Sequence, residues 1–397
     1  MSSLRRRPAA DIEDALLGGL RRGGTSVVRL GLDSDGAALW AAEAGPQSIR
    51  IVMNGTAHFT PAFWREVSMK YTRTASVIGV VAASALLFAG CSSQSSSPSA
   101  APAKSDLKIT VSTTQLGDFT KQVVGDTGAE VTQIVAPNQS PHDLELTAAN
   151  SAALADSGAV IVNGFGLDQV VSDAAPADKI IDTSTGVTPI PATDDEKEEA
   201  EEGHSHTELV NDPHIWTDPA NAKIQVQNIA DGLAKADPDH ADAYKSNASA
   251  YEAKLDDVDK WIKDTFAPVQ PDARKFVSTH DAFAYFVKAF DITQDDSVLN
   301  SLDDHAEPSE AELQSLVTKI KGTGVKAVFA EASVDPKIVQ RIADESGVKL
   351  YSGDDALYGD SLGEAGSEGE TYLKATVHNV TLIGQSWGLD PKAPEGL

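Results

Sequence analysis

Seven apolar residues, Tyr244, Ala248, Tyr251, Leu255, Val258, Ile262 and Phe266, recur at spacings of 4, 3, 4, 3, 4 and 4. That period draws one unbroken stripe down a long helix. Pro238 suits its first turn, and Pro268 and Pro271 end it. On the N-terminal side, short β-branched runs ("LKITVST", "VTQIVAP", "AVIVNG", "KIIDTSTGV") alternate with helix-like stretches such as "LTAANSAALADSG". On the C-terminal side the alternation restarts. "KFVSTH", a helix from Asp281, "DSVLNSL", the helical "EPSEAELQSLVTKIKGTG", "VKAVFAEA", the helical "PKIVQRIADESG" and "VKLYSG" follow in turn. Strand–helix–strand order implies parallel βαβ units. The fold class expected is therefore α/β, with an N-terminal lobe at 107–237, a linking helix at 238–268 and a C-terminal lobe at 269–397. No repeat at a solenoid period is visible.

A chain of 397 residues with 41% hydrophobic content can bury one or two cores. Its net charge of −27 argues against a nucleic-acid partner, which needs Lys and Arg gathered on one face. The single cysteine, Cys91, excludes an intrachain disulfide and a Cys-rich zinc finger. A metal site in this chain would be built from histidine and carboxylate. Residues 193–208, "TDDEKEEAEEGHSHTE", carry charge without apolar periodicity and read as a solvated loop.

The first ninety residues divide in two. From Met69 the chain reads "MKYTRTASVIGVVAASALLFAGC": a short basic segment at Lys70 and Arg73, then an apolar run from Ala75 to Phe88. That run has the length of a signal peptide and is too short for a spanning helix, which wants roughly 20 apolar residues. It ends in Ala89-Gly90-Cys91, which resembles the lipobox of bacterial lipoproteins, with Phe88 where leucine is usual. Residues 69–90 are thus expected to be a signal peptide and Cys91 the lipidated mature N-terminus. The Ser/Pro/Ala tract at 91–106 reads as a flexible tether. Residues 1–68 precede this signal, and the expectation is that they are a spurious upstream segment, with Met69 the natural start. Residues 1–90 hold 10 of the 32 basic and 7 of the 59 acidic residues, so the remainder carries 22 against 52, a net charge of −30.

Three of the nine histidines fall in loops at the ends of elements of the two lobes. His142 follows a strand in "APNQSPHDLELT". His214 lies in "VNDPHIWTDPANA", bracketed by two Asp-Pro turns. His280 ends the strand "KFVSTH", before a helix whose buried face is set by Phe283, Phe286, Val287 and Phe290. For any one of them a hydrogen-bonded loop histidine is the ordinary reading. Ligands in open α/β sheets, however, bind outside the carboxyl ends of strands, and neutral imidazole is the commonest metal ligand. The three are about seventy residues apart, so spacing gives no local signature.

The stretches "SPHDLELT", "NDPHIWTDPANA", "STHDAFAYF" and "YGDSLGEAGSEGETYLKATVHN" resemble, in order and rough spacing, the metal-specific solute-binding lipoproteins of bacterial ABC transporters. The zinc- and manganese-uptake groups are most similar, and the likeness runs from Leu107 to near the C-terminus. It implies two lobes joined by a rigid helix, with metal buried in the cleft between them. Carried over residue by residue, it implies His142, His214, His280 and Asp360 as metal ligands. Asp212 or a backbone carbonyl is expected to orient the second ring nitrogen of His214. Asp360 could otherwise be a helix N-cap, with Asp354 and Asp355 as neighbouring competitors. His204 and His206 resemble the His-rich loop of the zinc-uptake members and are auxiliary metal residues or simply solvated. His240, His305 and His378 are assigned to helix surfaces or loops. His58 falls in the upstream segment, and Glu331, which follows a strand, could face the cleft but is not counted as a ligand.

The function implied is capture of Zn(II) outside the cytoplasm and its delivery to a membrane ABC permease, by a lipid-anchored monomer that is not an enzyme. Three nitrogen donors and one carboxylate favour Zn(II) over Mn(II), which prefers more oxygen; a manganese-binding member of the same family is the alternative. The rival class is a zinc metallohydrolase, whose site would keep an open position for water and a general base beside it. Metal affinity should weaken as pH falls through about 6.5, the unperturbed histidine value.

Overall fold

The computed structural model describes residues 26–30, 39–45, 48–54, 66–70, 104–142, 144–192, 210–294, 309–333 and 336–394. The chain forms two compact units, Met1–Ser95 and Ser96–Leu397. In the first unit, β1 (Ser26–Leu30), β2 (Leu39–Gly45), β3 (Ser48–Asn54) and β4 (Glu66–Lys70) form an antiparallel meander in sequence order. The sequence announces no element there, because a two-residue alternation over such short runs is a weak signal. Strand β4 takes in Met69, opposite Ile49. The signal segment beyond Lys70, Cys91, the tether as far as residue 103, His58, His305, and residues 193–209 with His204 and His206 lie outside the described residues.

The second unit begins with β5 (Lys108–Val111), α1 (Thr114–Val124), β6 (Glu130–Gln133), α2 (Ala148–Asp156), β7 (Ala159–Val162), α3 (Gln169–Ala174) and β8 (Ile180–Asp182). The strands make one parallel sheet in the order β6-β5-β7-β8. All four residues of β7, Ala-Val-Ile-Val, are buried, as a strand covered on both faces requires.

Two helices follow, α4 (Pro219–Ala236) and α5 (Ala241–Phe266). The seven stripe residues of α5 are its seven buried residues, and over 26 residues the helix runs about 39 Å. It packs along α4, α1 and, from the other lobe, α9 (Tyr372–Ser386). One apolar cluster therefore runs from Ile109 and Phe119 through Tyr251 and Leu255 to Phe276, Phe283 and Ile383. Burying each large stripe residue stabilises the fold by about 1.5–3 kcal/mol, which anchors α5 along its whole length as the spine of the unit.

Helix α4 was not among the expected elements. Its buried face includes Ala222, Gln225 and Ala230 beside Val226, Ile229 and Leu233, so the apolar stripe is diluted in the sequence. Its start is well marked: the Asp218 side chain accepts from the Ala220 N–H, and Pro219 occupies the first turn. His240, expected on a helix surface or in a loop, lies in the short turn at the α4–α5 corner and is buried there. There its Nδ1 lies 2.9 Å from an Asp237 oxygen that also accepts from the Tyr244 hydroxyl at 2.8 Å.

The C-terminal lobe carries β9 (Lys275–Phe276), α6 (Ala284–Ala289), β10 (Thr293–Gln294), α7 (Glu310–Thr323), β11 (Ala327–Phe329), α8 (Lys337–Ser346) and β12 (Lys349–Tyr351) before α9. The pairs β10-β9 and β11-β12 are both parallel, and a Ser278–Phe329 bridge joins them. Helices α7 and α8 close a second core around Val277, Leu316, Val328 and Ile342.

Candidate metal centre

Each of the three loop histidines sits just past a strand end or in a proline turn, where the backbone is held by its own hydrogen bonds. In the loop after β6, Asn138 adopts a left-handed conformation (φ 58°), and its N–H donates to the Leu362 carbonyl of the opposite lobe at 3.0 Å. That contact brings the His142 loop over the cleft. Pro213 fixes the chain before His214, and its carbonyl accepts from the Asn163 amide at 2.9 Å, which ties the turn to the end of β7. After β9, the Ser278 hydroxyl donates to the His280 carbonyl at 2.8 Å and the Thr279 hydroxyl to the Phe329 carbonyl at 3.1 Å.

The fourth residue, Asp360, caps no helix. It lies in an irregular segment between β12 and α9, buried, whereas Asp354 and Asp355 are exposed. The N-terminal lobe holds this segment directly. Gln115 Nε2 and Trp216 Nε1 both donate to the Gly359 carbonyl, at 3.2 and 2.9 Å, and the Leu362 N–H donates to the Thr114 hydroxyl at 2.8 Å. Trp216 thus explains part of the proline-bracketed stretch, because its indole reaches across the cleft two residues after His214.

The four side chains converge. His142 Nε2 and His214 Nε2 are 3.1 Å apart. Asp360 Oδ1 lies 3.2 Å from His214 Nε2, and Oδ2 lies 3.1 Å from His280 Nε2 and 3.4 Å from His142 Nε2. One ligand-type atom from each residue falls within 4.8 Å of all the others, and among the described residues no other such His/Cys/Asp/Glu group occurs. His214, His280 and Asp360 are buried. Both Asp360 oxygens receive no well-formed hydrogen bond and face three imidazole edges. A buried carboxylate so placed calls for a cation.

Behind the histidines stand two more carboxylates. Asp212 Oδ1 lies 2.7 Å from His214 Nδ1 and also accepts the His214 backbone N–H at 2.8 Å. Glu331 Oε1 lies 2.8 Å from His280 Nδ1. Once a ring is neutral, the carboxylate behind it favours the tautomer in which Nδ1 keeps the proton and the Nε2 lone pair faces the cleft. Burial pushes the His214 imidazolium down, but the Asp212 and Asp360 charges outweigh it and raise the group to about 10. Burial likewise opposes the charged form of His280, and Glu331 and Asp360 raise it well above the usual histidine range. Burial works against ionised Asp360, yet the His280, His214 and His142 rings hold it well below the carboxylate range. Of the two partners the sequence offers for His214, Asp212 or a backbone carbonyl, the structure has Asp212. Glu331, two residues past β11, faces the cleft behind His280, for which its place after a strand is the signal in the sequence.

The sequence profile described as zinc-uptake complex component A, periplasmic (ZnuA) matches residues 109–386. The chain belongs to this family. The manganese-binding lipoprotein MntA of Halalkalibacterium halodurans is 30% identical over 76% of this chain and 94% of its own length. The high-affinity zinc uptake system protein ZnuA of Bacillus subtilis is 30% identical over 68% of this chain and 85% of its own. The solved periplasmic zinc-binding protein TroA of Treponema pallidum superposes with a TM-score of 0.62, at 22% identity, over 71% of this chain and 99% of that one. That likeness establishes the shared two-lobed α/β fold.

Proposed function

We propose that this chain captures Zn(II) outside the cytoplasm and hands it to the permease of an ABC uptake system. His142, His214, His280 and Asp360 are the proposed ligands. The observation that carries the reading is their convergence: one donor atom from each lies within 4.8 Å of the others, and four of the contacts among them are 3.1–3.4 Å, which suits donors gathered around one ion. Zinc bonds of 2.0–2.2 Å at tetrahedral angles put neighbouring donors about 3.4 Å apart. Three imidazoles and one carboxylate favour zinc, and four protein donors leave no position for the water a hydrolase needs, so the chain is proposed not to be an enzyme. Lipidation at Cys91 would tether the protein to the cell membrane, and the intact mass of membrane-extracted protein tests it. A mass without a diacylglyceryl-cysteine N-terminus would remove the anchor from the proposal.

Mn(II) is the second reading, because the 30% identical MntA relative is named for manganese. Competition calorimetry with both metals separates the two. Zinc should bind at least a hundredfold tighter, and His280→Glu, which exchanges a nitrogen donor for oxygen, should narrow that ratio. Equal or tighter manganese binding by the unaltered protein would overturn the zinc assignment.

A further inference from the structure

Glu331 is a buried carboxylate that stands behind the four-residue centre without belonging to it. It leaves the end of β11 with its backbone fixed on three sides. Its N–H donates to the Thr279 hydroxyl at 3.1 Å, it forms a parallel bridge with Leu357, and the following Ala332 N–H donates to the Leu357 carbonyl at 2.9 Å. The side chain is 2% exposed, so its charge is aimed inward rather than solvated. Its two oxygens do different things. Oε1 takes the Nδ1 edge of His280 at 2.8 Å. Oε2 lies so close to Gly359 that a Cβ at that position would come within 2.0 Å of it. Gly359 directly precedes Asp360. One carboxylate therefore touches both of the C-terminal lobe's contributions to the centre, the ring of His280 and the segment of Asp360.

We propose that Glu331 is the positioning residue for the C-terminal half of the site, fixing the His280 ring with Nε2 toward the metal while its second oxygen seats the Gly359–Asp360 segment, and that it thereby sets the preference for zinc. The inference rests on the zinc reading above. The chemistry is that of a carboxylate behind a ligating imidazole. Accepting Nδ1–H locks the tautomer, makes Nε2 a stronger donor, and costs 10–100-fold in affinity when lost. Zinc draws most of its advantage from nitrogen donors, so a weaker His280 donor costs zinc more than manganese. Glutamine keeps the shape of the side chain but removes the charge and can turn its amide N–H toward Nδ1, which favours the wrong tautomer. Aspartate keeps the charge but withdraws it by one methylene.

The test compares full-length wild type, Glu331→Gln and Glu331→Asp. Three quantities are read: zinc and manganese affinity by competition, the visible absorption of the cobalt(II) form, and the melting temperature of the metal-free protein. For E331Q the expected result is a 10–100-fold loss of zinc affinity, a smaller manganese loss, and a shifted, weakened cobalt band as His280 loses its grip. The metal-free melting temperature should fall, because the buried 2.8 Å pair between Glu331 and the His280 ring loses its negative partner, and E331D should restore part of it. E331D should recover part of the zinc affinity. Wild-type zinc affinity and cobalt spectrum in E331Q would overturn the proposal. So would equal losses for both metals with E331D no better than E331Q, since that pattern means simple structural support. If E331Q does not fold, E331D decides alone: an unchanged zinc-to-manganese ratio and cobalt band refute the proposal. Wild type that takes no zinc would sink the zinc reading instead, and the cobalt comparison would still report on Glu331.

Discussion

At the scale of residues, the centre is a balance of charges settled before any metal arrives. In the metal-free protein His214 and His280 hold protons more tightly than free histidine, because buried carboxylates stand on both sides of each ring. A raised folded-state value means that this stabilisation is fully present below about 6.5 and is lost as pH rises toward about 10 for His214. Metal binding runs the other way, since His214 and His280 must give up their cleft-facing protons. The window expected from unperturbed histidine therefore moves up: zinc affinity should keep rising above pH 6.5 instead of levelling off. At pH 7.5, calorimetry in buffers of different ionisation enthalpy should show one to two protons released per zinc. No release at that pH would show that the rings are already neutral and that the flanking carboxylates do not act as described.

At the scale of elements, the segment between β12 and α9 decides where Asp360 sits. Gly359 accepts two hydrogen bonds from the other lobe at its carbonyl and meets Glu331 at its Cα. Gly359→Ala forces the carboxylate or the segment to move, which should destabilise the protein by about 1–3 kcal/mol and weaken zinc at least tenfold. Thermal melts and calorimetry check this, and unchanged zinc affinity would show that Asp360 is placed by something else. Some of this arrangement was legible in the sequence. The α5 stripe announced itself because seven apolar residues keep one period, and β7 because Ala-Val-Ile-Val admits little else. His142, His214 and His280 were legible as loop residues at element ends, but only the family resemblance joined them, because spacing says nothing about residues seventy apart. Helix α4 was hidden by Ala and Gln on its buried face, and Glu331 by having no motif of its own. Its role depends on a register between β11 and the His280 loop that only the folded chain supplies.

At the scale of the molecule, the proposed ligands come from both lobes: His142 and His214 from the N-terminal one, His280 and Asp360 from the other. A metal among them is a cross-link over the cleft, laid parallel to the α5 spine and to the hydrogen bonds that Gln115 and Trp216 send to Gly359. Because α5 belongs to one apolar cluster that runs through both lobes, the 96–397 unit should unfold in a single cooperative step. Zinc that binds only the folded state adds RT ln(1 + [Zn]/Kd), about 4 kcal/mol when free zinc is a thousandfold above Kd. For a unit of this size that corresponds to a rise in melting temperature on the order of 10 °C. The rise should be larger at pH 8 than at pH 6, because protons compete less. Calorimetric scans with zinc and with excess chelator test both statements. Two separated transitions, with zinc moving only one of them, would mean that a single lobe holds the metal, and the cross-lobe site would fall with that result.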